Sequence, residues 1–232
     1  MTELKEYEGA HVLELLEDAR NYNRYLANLL LKFSKVSDQV LDFGAGIGTF
    51  AQSLSDAGRQ VTCVEPDPAQ NARIREQELT AYTCLEDVPR ESMDLVYSLN
   101  VLEHIQDDRA ILRLCRTRIR PGGTILIYVP AFQFLYSSFD RMVGHVRRYS
   151  RSELVQKVNG AGFHVDKVCY VDSLGFLAAA LFKIIASSDG NFSRKALIFY
   201  DRILFPASRA LDFILGRLFG KNLLLIARRE TI

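Results

Sequence analysis

Val40-Leu-Asp-Phe-Gly-Ala-Gly-Ile-Gly48 is the stretch on which the reading of this chain turns. Gln39 to Phe43 is apolar enough for a short buried strand, and the glycines Gly44, Gly46 and Gly48 follow at alternate positions. A helical segment, Thr49 to Ala57, comes next and stops at Gly58. Glycine at a strand-to-helix turn lets the backbone bend sharply and approach a ligand closely, and the helix start beyond it offers unpaired N–H groups. Strand, glycine turn and helix together open a βαβ unit. Glu65 then closes a second strand, Val61 to Glu65, ahead of Pro66-Asp67-Pro68. A carboxylate at that place accepts both hydroxyls of an adenosyl ribose, by the logic that serves dinucleotide folds.

Outward from this unit the alternation continues. A helix is predicted from Pro68 to about Glu78, a short strand at Ala81 to Cys84, a strand at Met93 to Leu99 and a helix at Asp107 to Arg118. The turn Pro121-Gly-Gly123 precedes a strand at Thr124 to Val129. Strands alternating with helices imply a doubly wound, mostly parallel sheet. Upstream, apolar residues at helical spacing between Tyr7 and Phe33 predict a long amphipathic helix or helix pair. Downstream, a loop containing Asp140-Arg-Met-Val-Gly-His-Val-Arg-Arg-Tyr149 precedes a helix capped by Ser150 or Ser152, and a strand at Phe163 to Val171. Residues 172–221 read as two or three apolar, basic helices, and Asn222 to Arg229 as a last strand.

The chain has 232 residues, 48% hydrophobic and 25% charged. That composition can bury a real core and fits neither disorder nor a small disulfide-stapled scaffold. Lys+Arg 29 against Asp+Glu 28 leaves a formal charge of +1, so no nucleic-acid partner is expected through the overall field. Cys63, Cys84, Cys115 and Cys169 are widely spaced; they predict reduced thiols and no metal site. The acidic N-terminus lacks an apolar stretch suited to a signal peptide, and a cytoplasmic protein is expected. The longest apolar run, Leu174 to Ala186, contains Lys183 and falls short of the roughly 20 residues that span a bilayer. Contact with the inner membrane face stays open.

Enzymes that bind NAD and enzymes that bind S-adenosylmethionine (SAM) share the glycine-turn geometry. The spacing here lacks the third glycine of G-x-G-x-x-G, which weakens an NAD-linked oxidoreductase reading. Two further segments bear on the choice: Met93-Asp-Leu-Val-Tyr-Ser-Leu-Asn-Val-Leu-Glu-His-Ile105 and Arg120-Pro-Gly-Gly-Thr-Ile-Leu-Ile127. Together with the glycine stretch and Cys63-Val-Glu-Pro-Asp67, in this order and spacing, they resemble class I SAM-dependent methyltransferases over roughly residues 20 to 171. The resemblance implies an α/β, Rossmann-like doubly wound sheet of seven strands, mostly parallel with an antiparallel final strand, plus a helical cap insertion. It also implies SAM as cofactor. One domain is expected, with an N-terminal lid (1–36), a SAM-binding core (37–171), the cap (172–221) and the final strand (222–232).

Carried over by position, the resemblance sets Asp42, Gly44, Ala45, Gly46 and Gly48 beside the methionine and ribose portions of SAM, and Glu65 on the ribose hydroxyls. Pro66 and Asp67 would flank the adenine, and the Leu85 backbone with Glu86 or Asp87 would read its edge, since the aspartate many members use there falls at Cys84. Asn100 and Val101 would lie under the sulfonium, and Tyr22, within Asn21-Tyr-Asn-Arg-Tyr25, would belong to a lid over the cofactor.

His104 and His145 are the two candidate bases for methyl transfer to an oxygen or nitrogen acceptor. The loop beyond the fifth strand is read as the acceptor wall, with Asp140, Arg147, Arg148 and Tyr149 as substrate-binding residues, because guanidinium forks bind oxyanions. A small anionic or lipid-linked acceptor follows. From Ser187 to Ile232 there are eight basic residues against four acidic ones. Apolar helices with a basic margin fit either peripheral membrane contact or a homodimer interface. A non-catalytic SAM-binding protein that docks a membrane or partner is the remaining alternative.

Overall fold

The computed structural model describes residues 18–185 and 194–231. The expected helix between Tyr7 and Phe33 is described from Arg20 as α1, Arg20–Phe33, and its earlier part lies outside the described residues. The remaining elements in chain order are β1 (Gln39–Phe43), α2 (Thr49–Asp56), β2 (Gln60–Val64), α3 (Pro68–Glu76), β3 (Thr80–Tyr82), β4 (Met93–Leu99) and α4 (Asp108–Arg118). Then come β5 (Ile119–Pro130), α5 (Ser138–Met142), α6 (Arg151–Gly160), β6 (Phe163–Val171), α7 (Ser173–Ile185), α8 (Arg194–Phe199), α9 (Phe205–Leu215) and β7 (Asn222–Arg229).

The seven strands form one sheet in the order β3-β2-β1-β4-β5-β7-β6. β1 to β5 pair in parallel, and β7 runs antiparallel to both β5 and β6. The order reverses direction between β1 and β4, so the crevice at their carboxyl ends is where an open α/β sheet binds ligands.

Alternate residues of each strand enter two different cores, as the period of a strand requires. Leu41, Phe43, Val96, Ile125 and Ile127 pack with Leu112, Cys115, Leu154 and Val158 of α4 and α6. Val40, Cys63, Leu95, Tyr97 and Leu126 pack on the other face with Leu26 and Leu30 of α1, Leu54 of α2 and Ile74 of α3. Helix starts are fixed by caps. Asp67 accepts the amides of Ala69 and Gln70 ahead of Pro68, and Ser150 accepts that of Glu153.

One local expectation is corrected. Pro121-Gly-Gly123 is not a turn before β5 but lies inside it, where the ladder with β4 slips between Met93 and Leu95. A Cβ on Gly123 would stand 2.6 Å from the Ile119 side chain and 2.9 Å from the Asp94 carbonyl, so only glycine fits this irregularity.

Between β6 and β7 the chain makes α7 and then a helix in which α8 passes through a π-helical turn, Tyr200–Leu204, into α9. The widened turn lies just ahead of Pro206, which brings no N–H to the helix ladder. α9 packs on α1 through Phe205, whose ring meets Tyr22 and Tyr25 edge-on at centroid distances of 5.5 and 5.8 Å.

Candidate functional site

The glycine loop emerges from β1 with its amides already engaged. Gly44 and Ala45 both donate to the Val64 carbonyl, at 2.9 and 3.2 Å, which folds the loop back over β2. Gly44 has φ +82°, and a Cβ there would lie 2.4 Å from a methyl of Val101. Both the left-handed backbone and the space therefore demand glycine. Asp42 is buried beneath this loop; its burial, against the pull of Tyr97 and helped by the negative charge of Glu65, pushes its carboxyl up to about 7.

Glu65 is buried at the end of β2, where Oε2 accepts the Gly46 amide at 2.8 Å and Oε1 the Asp67 amide at 3.0 Å. Asn71 holds the same corner by donating to the carbonyls of Glu65 and Tyr82. Burial raises the Glu65 carboxyl, against the pull of the two amides. Each carboxylate oxygen keeps a lone pair, so a glycine-lined cradle meets a fixed bidentate acceptor, which is what an adenosyl ribose requires.

The sequence profile of the methyltransferase domain family matches residues 15–168. The chain belongs to that family. Its class is that of the SAM-dependent methyltransferases. A protein of Mycolicibacterium smegmatis named "Probable S-adenosylmethionine-dependent methyltransferase" is 29% identical over 160 residues, which cover 66% of this chain and 60% of the relative. A ubiquinone biosynthesis O-methyltransferase of Xanthomonas campestris pv. campestris is 32% identical over 99 residues, 38% of this chain and 41% of the relative. The chain thus matches less than two thirds of the length of either. Among solved structures, a Haloferax volcanii methyltransferase in complex with the Trm112 activator superposes with a TM-score of 0.67 at 18% identity, covering 97% of this chain and 96% of that one. Haemonchus contortus phosphoethanolamine N-methyltransferase 2, solved with SAM, gives 0.61 at 22% identity over 90% of this chain and 53% of that one.

Around the methyltransferase cradle, the residues carried over from the family pattern divide in two. Asn100 ends β4 with φ +54° and donates from Nδ2 to the Tyr22 hydroxyl at 3.2 Å, which ties the switch-point crevice to α1. Val101 packs against Gly44. By contrast, Asp67 is occupied as the cap of α3, and Pro66 stands exposed beside it. The Leu85 side chain is in the core, Glu86 is exposed, and the Cys84 thiol donates to Asp87 at 2.9 Å.

The start of α1 lacks a local cap: its N-cap residue is Ala19. Asp201, 2% exposed in the π turn, supplies the missing acceptor from 180 residues away, taking the amides of Asn21 at 3.0 Å and Tyr22 at 2.9 Å. Asn21 Nδ2 also donates to the Asp201 carbonyl at 3.0 Å. The sequence reading passed over Asp201, although an aspartate inside an otherwise apolar, basic stretch is a signal of a buried acceptor.

The loop beyond β5 is braced by its own charges. Of the residues expected to bind substrate, Asp140 and Tyr149 are fully buried and Arg148 nearly so, and their polar groups engage partners within the protein. Arg148 makes a fork on Asp140, at 2.8 and 3.0 Å, and Arg147 donates to Asp108 and to the Gln106 carbonyl, both at 2.8 Å. Tyr149 donates to Asp108 at 2.8 Å and to the Leu102 carbonyl at 3.0 Å. What this frame holds in place is His145, whose Nδ1 lies 2.8 Å from Asp140 Oδ1. Burial opposes ionisation of Asp140, but the hydrogen bonds from His145 and Arg148 outweigh it and hold the carboxyl well below its usual range. Ionised Asp140 is an acceptor only, so Nδ1 is the nitrogen that donates in this contact.

Nε2 of His145 lies 3.7 Å from Glu103, and the His104 ring meets the His145 ring edge-on at 4.7 Å between centroids. Burial first, and His145 second, lower His104 to about 4, so it is neutral at physiological pH. Glu103 is fully buried with neither carboxyl oxygen hydrogen-bonded, and its burial pushes it up to about 8. These three side chains bring one donor atom each to within 4.8 Å of one another, an arrangement that could hold a metal ion. Glu103 was missed because in sequence it stands between an apolar residue and a histidine, and nothing there marks it as unpaired.

Proposed function

We propose that this chain transfers a methyl group from SAM to an oxygen or nitrogen atom of a small, lipid-linked acceptor, with His145 taking up the proton the acceptor releases. The observation that carries this reading is the Asp140–His145 pair, buried in a frame of Arg147, Arg148 and Tyr149 and set at the carboxyl end of the sheet, on the side of the crevice away from Glu65. SAM, when bound, supplies an electrophilic methyl group on its sulfonium.

The chain's own residues do the rest. Gly44 to Gly48 give close backbone approach, Glu65 accepts the ribose hydroxyls, and Asn100 with Tyr22 closes the crevice from above. Asp140 fixes the His145 tautomer, which leaves Nε2 as the acceptor of a proton. Phe132, Phe134, Phe176 and Phe219 form a connected aromatic cluster beyond β5, with neighbouring centroids 5.1 to 5.9 Å apart, which supports an acceptor with an apolar part. Much of the rate comes from holding the nucleophile in line and dry.

His145→Ala, assayed with labelled SAM against lipid-extract fractions, is expected to lower turnover by about 10² to 10⁴ while SAM affinity stays near wild type. Full turnover in a folded variant would remove His145 from the chemistry.

A further inference from the structure

The helix from Arg194 to Leu215 is built inside out. Its buried positions are Asp201, Phe205 and Ser208, two of them polar, with Asp212 half-buried beside Tyr200, Leu204 and Leu215. Its solvent-facing positions include Ile203, Pro206, Ala207, Ala210, Leu211, Phe213 and Ile214, and Leu218 continues them past the helix end. Phe213 is 90% exposed, Ile214 70% and Leu218 68%. α7 packs alongside, with the Leu174 amide donating to Ser208 at 3.0 Å, and exposes Leu177 and Leu181 in turn. Water does not select such an outer face, and so contiguous an apolar surface marks an interaction site.

Charge identifies the partner. Both acids between residues 194 and 218 face inward: Asp201 on the α1 amides, and Asp212 on the amides of Asp172 and Ser173 and on Arg209. The exposed charges on this stretch are basic, Lys195, Arg202 and Arg217 among them, and Arg202 and Arg217 bracket the apolar run. A two-fold dimer through this face would bring together two copies of one basic helix surface whose own acids, Asp201 and Asp212, both face inward. A layer of lipid phosphates over acyl chains matches both features, since the apolar side chains enter the headgroup boundary while the cations stay at phosphate level. Among the described residues no helix is long and apolar enough to cross a membrane, so the contact is one of lying on the surface.

We infer that the outer face of α7–α9, centred on Phe213, Ile214 and Leu218, docks onto an anionic lipid bilayer. The test is flotation of the full chain with vesicles of phosphatidylcholine alone and of phosphatidylcholine mixed with phosphatidylglycerol, with light scattering on the protein alone. Wild type is expected to float with the anionic vesicles and to lose much of that binding as salt shortens the screening length from about 10 Å to about 3 Å. Phe213→Ser/Ile214→Ser/Leu218→Ser should weaken partition at least about tenfold. Arg202→Glu/Arg217→Glu should do so by at least about tenfold on anionic vesicles only. Because all five positions are exposed, both variants should keep the wild-type melting temperature and SAM affinity; if the triple variant unfolds, the arginine pair decides. Absence of flotation at low salt, or flotation indifferent to the variants, overturns the inference. A dimer in solution that the triple variant splits overturns it in favour of a second copy.

Discussion

Replacing Asp201 with alanine removes the acceptor that caps α1 from across the chain. Two amides, of Asn21 and Tyr22, lose a carboxylate that is 2% exposed. A hydrogen bond to a charged group contributes about 1.5–3 kcal/mol, so two bonds set an upper bound of about 3–6 kcal/mol. Loss of an ordinary N-cap costs about 0.5–2 kcal/mol. Water entering the space left by the side chain restores part of the difference, which places the expected loss at about 2–4 kcal/mol. For a chain of this size that is roughly 5–15 °C in melting temperature. Asp201→Asn keeps one acceptor oxygen but turns an amide nitrogen toward the other N–H, so it should fall between alanine and wild type. The same change loosens Tyr22 and its hydrogen bond with Asn100, so SAM should bind about tenfold more weakly, by about 1.4 kcal/mol. Urea unfolding followed by circular dichroism gives the stability, and titration calorimetry the affinity. A loss below about 0.5 kcal/mol with SAM affinity unchanged would refute the claim that the C-terminal helices hold the lid.

Glu65→Ala should weaken SAM binding by about 1.5–3 kcal/mol, more than tenfold, and Glu65→Gln should not restore it, because an amide nitrogen would face either the Gly46 or the Asp67 N–H; calorimetry showing wild-type affinity for Gln would remove the bidentate role. The Glu103 carboxyl is raised to about 8 in the folded chain, so between its unfolded value near 4.3 and about 8 the native state holds a proton that the unfolded state has lost, and this group makes stability fall as pH rises. Glu103→Gln should therefore gain stability relative to wild type between pH 5 and 8, with a slope approaching 1.4 kcal/mol per pH unit as an upper limit of about one proton; a pH-independent difference between the two chains would show that Glu103 does not titrate in this window.

Regular structure was legible in the sequence wherever one short-range rule controlled it. β4 and β7 run over the predicted residues, Met93–Leu99 and Asn222–Arg229, because apolar runs bounded by turn residues leave little choice of ends. The break in β5 at Pro121-Gly-Gly123 was not legible, since the same residues make a turn in isolation and a bulge when β4 lies alongside. The geometry of the glycine loop and of Glu65 was legible for a related reason. Gly44 and Glu65 depend on backbone conformation and on the end of one strand, both local properties of the chain.

The loop beyond β5 fails this test because its chemistry depends on which charges meet. In sequence, Arg147 and Arg148 are two free cations; in the folded chain each is matched by a buried acid, Asp108 or Asp140, and the pairing sets His145. A buried aspartate that lost its arginine would face several kcal/mol of uncompensated desolvation, so such pairs are compelled by burial itself. Burial comes from tertiary packing, which no window of residues contains. The inside-out helix shows the same dependence in reverse. Hydrophobic periodicity alone would turn Leu211, Phe213, Ile214 and Leu218 inward, yet Asp201 and Asp212 are bound to amides of α1 and of the β6–α7 junction, and those polar contacts orient the helix. Two aspartates anchored to backbone amides thus fix which face of an apolar helix meets the protein, and the face they leave outside is the one that must find another apolar phase.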